Sequence, residues 1–445
     1  MNYTLTNQVQ EEAIKALADW IAIPSVLDEN DSNTPFGQPI QDMLEQAITT
    51  CESLGMKTFI DPDGYYGYAE IGEGEDLFGV LCHLDVVPAE NENDWSYPPF
   101  ELTVEKDALY GRGSQDDKGP SIAALYALKA LLDQGYQLNQ RVRFIFGTDE
   151  ETLWRCMDKY NEKEEAVTMG IVPDSAFPLT YAEKGLLQLH ITGPGSNDFT
   201  LNNKGALNVV PAKAEYEGQD VEQVYDYLEN SHYQVDKEGN KVIVHGKSVH
   251  SKDADQGDNA LVHLIEALSE RFDHPVLDLV KKNFVNDVHG QNIFGLIEDE
   301  PSGKLTCNVA SLEVNNQTSK LAMDLRIPVT ADKEELVKTL CQSLEGSELK
   351  YEEFDYLASL YVPLDSELIT TLLRVYRDLT GDMTELISSG GATFARTMKN
   401  CVAFGALQEG VADTMHQVDE KMPLVNFYET MEIYAHALKA LVTKS

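Results

Sequence analysis

The chain has 445 residues, 34 of them basic and 75 acidic, for a formal net charge of −41, with 42% hydrophobic residues. Such a length buries a large core and suits two or three folding units. So acidic a surface repels phosphate backbones and anionic lipid, which excludes nucleic acid and membrane surfaces as partners, and no segment approaches the roughly 18 uninterrupted apolar residues of a membrane helix.

The opening Met1–Asn7 has neither a basic n-region nor an apolar h-region, so no secretory signal is read. Six cysteines (Cys51, Cys82, Cys156, Cys307, Cys341, Cys401) are scattered without a Cys-x-x-Cys pair. That pattern leads to the expectation of reduced thiols in a cytoplasm. Val9, Ile14, Leu17, Ala18 and Ile21 recur at helical spacing, predicting a helix over 7–22 that Pro24 closes. The apolar runs 77–82, 141–146 and 167–172 are predicted strands, and between the first two a helix is predicted over 120–132, ended by Gly135. Strands alternating with helices predict an α/β sheet, where functional groups gather beyond the strands' C-terminal ends. The polar motifs of this chain are all read as lying at such ends.

From about Glu183 the pattern changes to strand-like segments (241–245, 321–326) and helical ones (259–271, 333–344), none with a metal-ligand cluster. A helix resumes over 366–379. The Gly390-Gly391 turn, a strand over 401–405, His416 and a last helix over 425–442 follow. His416 has to rejoin ligands near the N-terminus. The expected organisation is therefore a catalytic domain in two parts, 1–185 and 361–445, with a domain inserted at 186–360.

The chemistry-bearing residues come in short clusters. His83 and Asp85 alternate along a strand and share a face, so an imidazole can bind metal while a carboxylate orients its other nitrogen. Asp116 stands between a Gly-rich turn and a helix, and its two oxygens can bridge cations roughly 3.5–4 Å apart. Glu150 and Glu151 are adjacent and diverge, so one can ligate while the other moves protons. Asp174, after Val172-Pro173, adds an oxygen ligand and His416 a nitrogen. Each signal alone has a plainer reading: a surface His–Asp pair, charges complementing a helix N-terminus, a solvated acidic pair. Together they are the ligand stock of a two-metal hydrolase. Nitrogen and oxygen donors without sulfur suit Zn²⁺, with Mn²⁺ or Co²⁺ also accommodated.

Four segments carry a resemblance: Gly111-Arg-Gly-Ser-Gln-Asp-Asp-Lys-Gly-Pro120, Thr148-Asp-Glu-Glu-Thr-Leu-Trp-Arg-Cys-Met-Asp-Lys-Tyr160, Pro173-Asp-Ser-Ala-Phe-Pro178 with Glu183-Lys-Gly185, and Asp413-Thr-Met-His-Gln417. With them the whole chain resembles the co-catalytic zinc peptidase and amidohydrolase family of aminoacylases and carnosinases, nearest to PepV-type bacterial dipeptidases. The resemblance implies a two-domain α/β metallopeptidase: a mixed-sheet catalytic domain and an inserted α+β lid with a ferredoxin-like core. The enlarged lid would replace a dimer partner, so a monomer is expected. It further implies that Asp116 bridges two divalent metal ions and that the peptide bond between Asp116 and Asp117 is cis. His83 and Asp174 would complete one metal position, and Glu151 and His416 the other. Asp85 would buttress His83, and Glu150 would be the general base toward a metal-bridging hydroxide. On the lid, Asn208 and His250 would stabilise the transition state, Arg326 would bind the substrate's C-terminal carboxylate, and Gly391 would line the substrate. The implied activity is hydrolysis of dipeptides with a free C-terminal carboxylate. The alternative carried beside it is an N-acyl amino acid deacylase or desuccinylase using the same metal centre.

Overall fold

Four parallel strands form the middle of the first of two compact units in this computed structural model, which describes residues 4–30 and 34–444. Residues 1–3, part of the stretch read for a secretory signal, lie outside the described residues. The first unit comprises Met1–Tyr181, Val362–Ile387 and Thr393–Ser445. Its sheet runs in the order Lys57–Ile60, Tyr66–Ile71, Arg141–Gly147, Leu77–His83, Met169–Val172, Cys401–Ala403, ending on Thr180 at the start of the next strand. Leu77–His83 is parallel to both Arg141–Gly147 and Met169–Val172, and the latter is parallel to Cys401–Ala403. Every residue of Leu77–His83 is buried, as a strand covered on both faces requires.

The helix after this strand spans Lys118–Asp133, two residues longer at its start than the predicted one, and packs on Leu424–Val442 and Asn7–Ile21. Pro120 lies within its first turn, where a missing N–H breaks no helical bond, so proline marks the beginning of this helix only approximately. Trp20 of Asn7–Ile21 meets Phe146 edge-on at 6.0 Å. A helix at Gln38–Ser53 was not anticipated, although Ile40, Met43, Leu44, Ala47, Ile48 and Cys51 recur at helical spacing and are buried. The predicted 401–405 strand stops at Ala403; the chain turns at Gly405, whose φ of +77° leaves the extended region.

The second unit comprises Ala182–Tyr361 and Ser388–Ala392, so a short piece of the C-terminal stretch groups with it. Its antiparallel sheet has the order Leu201–Asn203, Thr306–Val314, Thr318–Ile327, Gly185–Pro194, Lys350–Leu357. Leu189, Ile191, Leu312, Leu321 and Met323 of this sheet share one core with Leu264 and Leu268 of the helix Ala260–Ser269. A separate three-stranded sheet pairs Lys241–His245 with Lys213–Glu217 and with Gln234–Glu238. The whole is a mixed α/β protein. Among the described residues no helix is long and apolar enough to cross a membrane.

Candidate metal centre

Parallel pairing places the C-terminal ends of neighbouring strands together. His83 is in register with Gly147, three residues before Glu150, and Asp174 follows Val172 by two. These side chains therefore converge at one end of the sheet. Two others reach the same place by different routes, correcting the reading that every motif ends a strand. Asp116 lies in the turn before Lys118–Asp133, joined to Asp117 by a cis peptide. His416, with φ +60°, lies in the irregular stretch between Ala406–Leu407 and Lys421–Pro423.

The Asp116 carboxylate faces an imidazole with each oxygen. Oδ1 is 2.8 Å from His83 Nε2, and Oδ2 is 2.9 Å from His416 Nε2. His416 Nε2 also lies 3.1 Å from Glu151 Oε1, and His83 Nε2 lies 3.8 Å from Asp174 Oδ2. His83, Asp116 and Glu151 offer donor atoms within 4.8 Å of one another, and so do His83, Glu150 and Asp174. The other nitrogen of His83 is set by Asp85, but mainly through its backbone: Nδ1 is 3.0 Å from the Asp85 carbonyl and 3.7 Å from the carboxylate. The Asp85 carboxylate instead accepts from the amides of Glu150 (3.1 Å) and Glu151 (3.0 Å). The expected buttress thus holds the Glu150-Glu151 turn as well as His83.

The cluster is short of positive charge. Burial, then the neighbouring charge of Asp174, pushes Glu150 well above the usual carboxylate range. Burial, then Asp116, does the same to Asp174, and burial raises Glu151. Asp116 alone is lowered: against its burial, hydrogen bonds to His416 and His83 favour the anion. His416 is pushed up to about 10 by its bonds to Asp116 and Glu151. Four carboxylates around two imidazoles fit divalent cations, which would supply the missing charge through nitrogen and oxygen donors.

A match to peptidase family M20/M25/M40 spans residues 79–440. The chain belongs to this family. It is 34% identical to the YtjP protein of Bacillus subtilis (strain 168), whose name assigns it provisionally to the dipeptidases, over 97% of both chains. Among solved structures it is similar to aminoacylhistidine dipeptidase from Vibrio alginolyticus (TM-score 0.63, 13% identity, 99% of this chain and 98% of that one). It is also similar to the di-peptidase Dug1p from Saccharomyces cerevisiae (TM-score 0.60, 16% identity, 97% and 96%). The chain is thus an M20 metallopeptidase, and its fold is that of two-domain M20 peptidases.

In this M20 peptidase the remaining expected site residues belong to the second unit. Val209 bridges His250, and Ser251 N donates to Asn208 O at 2.9 Å, so Asn208 and His250 are neighbours. His250 Nδ1 accepts from Lys252 N at 3.1 Å. Burial, then the positive charges of Arg326 and Lys252, lowers its pKa and so favours the neutral ring; with Nδ1 accepting, the proton of that form belongs on Nε2. Arg326 is 2% exposed and already engaged: Nε and Nη2 donate to the two oxygens of Asp324 (2.7 and 3.1 Å), and Nη1 donates to Gly390 O (2.7 Å). These bonds use three of the five guanidinium N–H groups and leave one on each Nη. Gly391 N donates to Ser389 Oγ at 2.9 Å.

Several supporting groups escaped the sequence reading. Asp117, read as a helix-end charge and as the partner of Asp116 in a cis peptide, also accepts from His83 N (3.2 Å) and Ser121 Oγ (2.9 Å). Trp154 donates its indole N–H to Glu150 O at 2.6 Å, and Phe394 meets His83 edge-on at 6.4 Å. Glu420 is fully buried against Arg112 and the loop that carries Asp116. Its one sequence signal is its place four residues after His416.

Proposed function

We propose that this M20 peptidase is a dipeptidase that hydrolyses short peptides with a free C-terminal carboxylate, using two divalent cations and Glu150 as general base. One observation carries the reading: Asp116 presents one oxygen to His83 and the other to His416, with Glu150 in the same cluster. His83, Asp116, Glu151, Asp174 and His416 would hold the cations, with Zn²⁺, Mn²⁺ and Co²⁺ all compatible with the donors. When bound, these ions supply the positive charge that acidifies water and polarises a carbonyl.

The other tasks fall to the chain itself. Glu150, placed in the cluster beside His83 and Asp174, takes a proton from the attacking water and returns it to the leaving amine. Asp85 holds the amides of Glu150 and Glu151, so base and ligand move as one turn. Nε2–H of His250 donates to the developing oxyanion, and Asn208 assists. The two remaining N–H groups of Arg326 pair with the terminal carboxylate, and Gly391 lines the substrate; Asp324 and Gly390 hold the guanidinium still. The names of relatives that mention dipeptidases support the substrate class.

The test strips the enzyme with chelator and restores Zn²⁺, Mn²⁺ or Co²⁺ singly. Turnover is then compared for a panel of dipeptides, their C-terminal amides, and N-acetyl and N-succinyl amino acids. Metal-dependent turnover of free dipeptides is expected. Preferential turnover of the N-acyl compounds would replace this reading with a deacylase.

A further inference from the structure

Two loops far apart in sequence each present one ligand candidate: Gly111–Asp116 ends on Asp116, and 412–421 contains His416. Side chains tie them together in both directions. From the first loop, Gln115 Oε1 accepts from Thr414 N (2.7 Å) and from Thr414 Oγ1 (3.0 Å), while Nε2 donates to Ala412 O (3.1 Å). From the second, Glu420 Oε1 accepts from the amides of Gln115 (2.8 Å) and Asp116 (3.1 Å). Both Glu420 oxygens lie 3.1 Å from Gly113 N, and Oε2 takes Arg112 Nη1 at 2.7 Å. The main chain adds Gly111 N to Glu420 O at 3.1 Å.

The two imidazoles of the centre are held very differently. His83 is 1% exposed, ends a central strand, and has its Nδ1 fixed by Asp85 O. The side chain of His416 is 55% exposed and stands on an irregular loop, so packing constrains it weakly. Gln115 and Glu420 are 6% and 0% exposed, with their polar ends on main-chain atoms of the opposite loop. An amide or carboxylate buried in this way fixes backbone position, because any shift leaves several polar groups unpaired.

We propose that Gln115 and Glu420 form a reciprocal clasp that positions His416 against Asp116, and so sets the affinity of one of the two cation positions. They are positioning residues, touching neither substrate nor metal. Neither clasp residue bonds His83 or Asp174, so the position those two complete shares only Asp116 with the clasp and should be the less affected. The proposal rests on the two-metal reading above.

The experiment is Zn²⁺ titration of the chelator-stripped full chain by calorimetry and by competition with a chelating dye. Wild type is compared with Gln115→Met, which keeps the volume but removes both hydrogen-bonding ends, and with Glu420→Gln. Wild type should take up two ions. In each variant one ion should bind about 10- to 100-fold more weakly, the range for residues that orient ligands, and the other within about threefold of wild type. The metal-free unfolding temperature, measured alongside, should fall by no more than a few degrees in Gln115→Met. Equal weakening at both positions together with a large fall in unfolding temperature would make the clasp mere scaffold and overturn the proposal. Unchanged affinities in both variants would overturn it too. A wild-type chain that binds fewer than two Zn²⁺ would overturn the two-metal reading itself, and this proposal with it.

Discussion

Asp85 accepts from the backbone N–H of Glu150 through Oδ1 at 3.1 Å, while Oδ2 takes the next amide, of Glu151, at 3.0 Å. One carboxylate therefore sets the base and a ligand candidate together. Asp85→Asn replaces one acceptor oxygen with an NH₂ that faces an amide N–H. It should lower kcat about 10- to 100-fold and weaken metal retention, with KM little changed. Steady-state kinetics and metal content of the purified variant check this. Normal kcat with full metal content would remove Asp85 from the site.

Glu150→Gln keeps the shape of the side chain and its backbone bond to Asp85, but the amide cannot accept a proton. Hydrolysis should fall by about 10²–10⁴ in kcat, the usual scale of general acid–base catalysis. Two cations per chain should remain. Because Glu150 also lies within ligand distance of His83 and Asp174, metal content is the discriminating measurement. Loss of one ion together with activity would make Glu150 a ligand rather than the base.

The strand-end site candidates were legible because a buried parallel strand is a continuous apolar run that stops where the chain turns polar; His83, Glu150, Glu151 and Asp174 all lie where such runs end. Asp116 and His416 stood out by residue type, but their local structure did not, since a turn before a helix and an irregular loop leave no periodic trace. What the sequence hid were partners about 300 residues apart. Glu420 accepts main-chain amides of Gly113, Gln115 and Asp116, and an amide N–H has no residue identity to read. The Asp324–Arg326 pair was hidden differently. Alternation along a strand puts both on one face, but it does not say whether the guanidinium is spent on its neighbour or kept for a ligand.

Arg326 has to be tested with its partner in mind. Asp324 is fully buried, so Arg326→Ala leaves an unpaired carboxylate inside the protein, at a cost of about 3–5 kcal/mol. Arg326→Lys keeps a positive charge there and loses the planar fork. It should raise KM for free dipeptides about tenfold or more, the worth of a charge-assisted hydrogen bond, and leave C-terminally amidated dipeptides within about twofold. Equal effects on both substrate classes would remove Arg326 from carboxylate recognition.

His250 offers a cleaner dissection, because among the described residues its ring bonds the Lys252 amide of its own turn and no other group. His250→Ala should cut kcat by about 10²–10³, as expected for loss of one oxyanion donor. Metal content and unfolding temperature should stay at wild-type values. A fall in metal content would point to a ligand role, and an unchanged kcat would end the transition-state assignment.

Metal removal should be visible in stability as well as in turnover. Burial raises the carboxyls of Glu150, Glu151 and Asp174 in a cluster that holds two imidazoles. Cations bound there stabilise the folded chain by mass action, by about 2.7 kcal/mol at one hundred times Kd, since the unfolded chain has no such cluster. For a unit of this size that corresponds to roughly 5–10 °C in unfolding temperature. Chelation should lower the transition by this amount, and Zn²⁺ should restore it. Asp116→Asn, which removes the negative charge and one of the two acceptor oxygens facing His83 and His416, should lose most of the shift. A transition indifferent to chelator in the wild-type chain would show that these carboxylates hold protons in the working protein, and the two-metal hydrolase reading would fall.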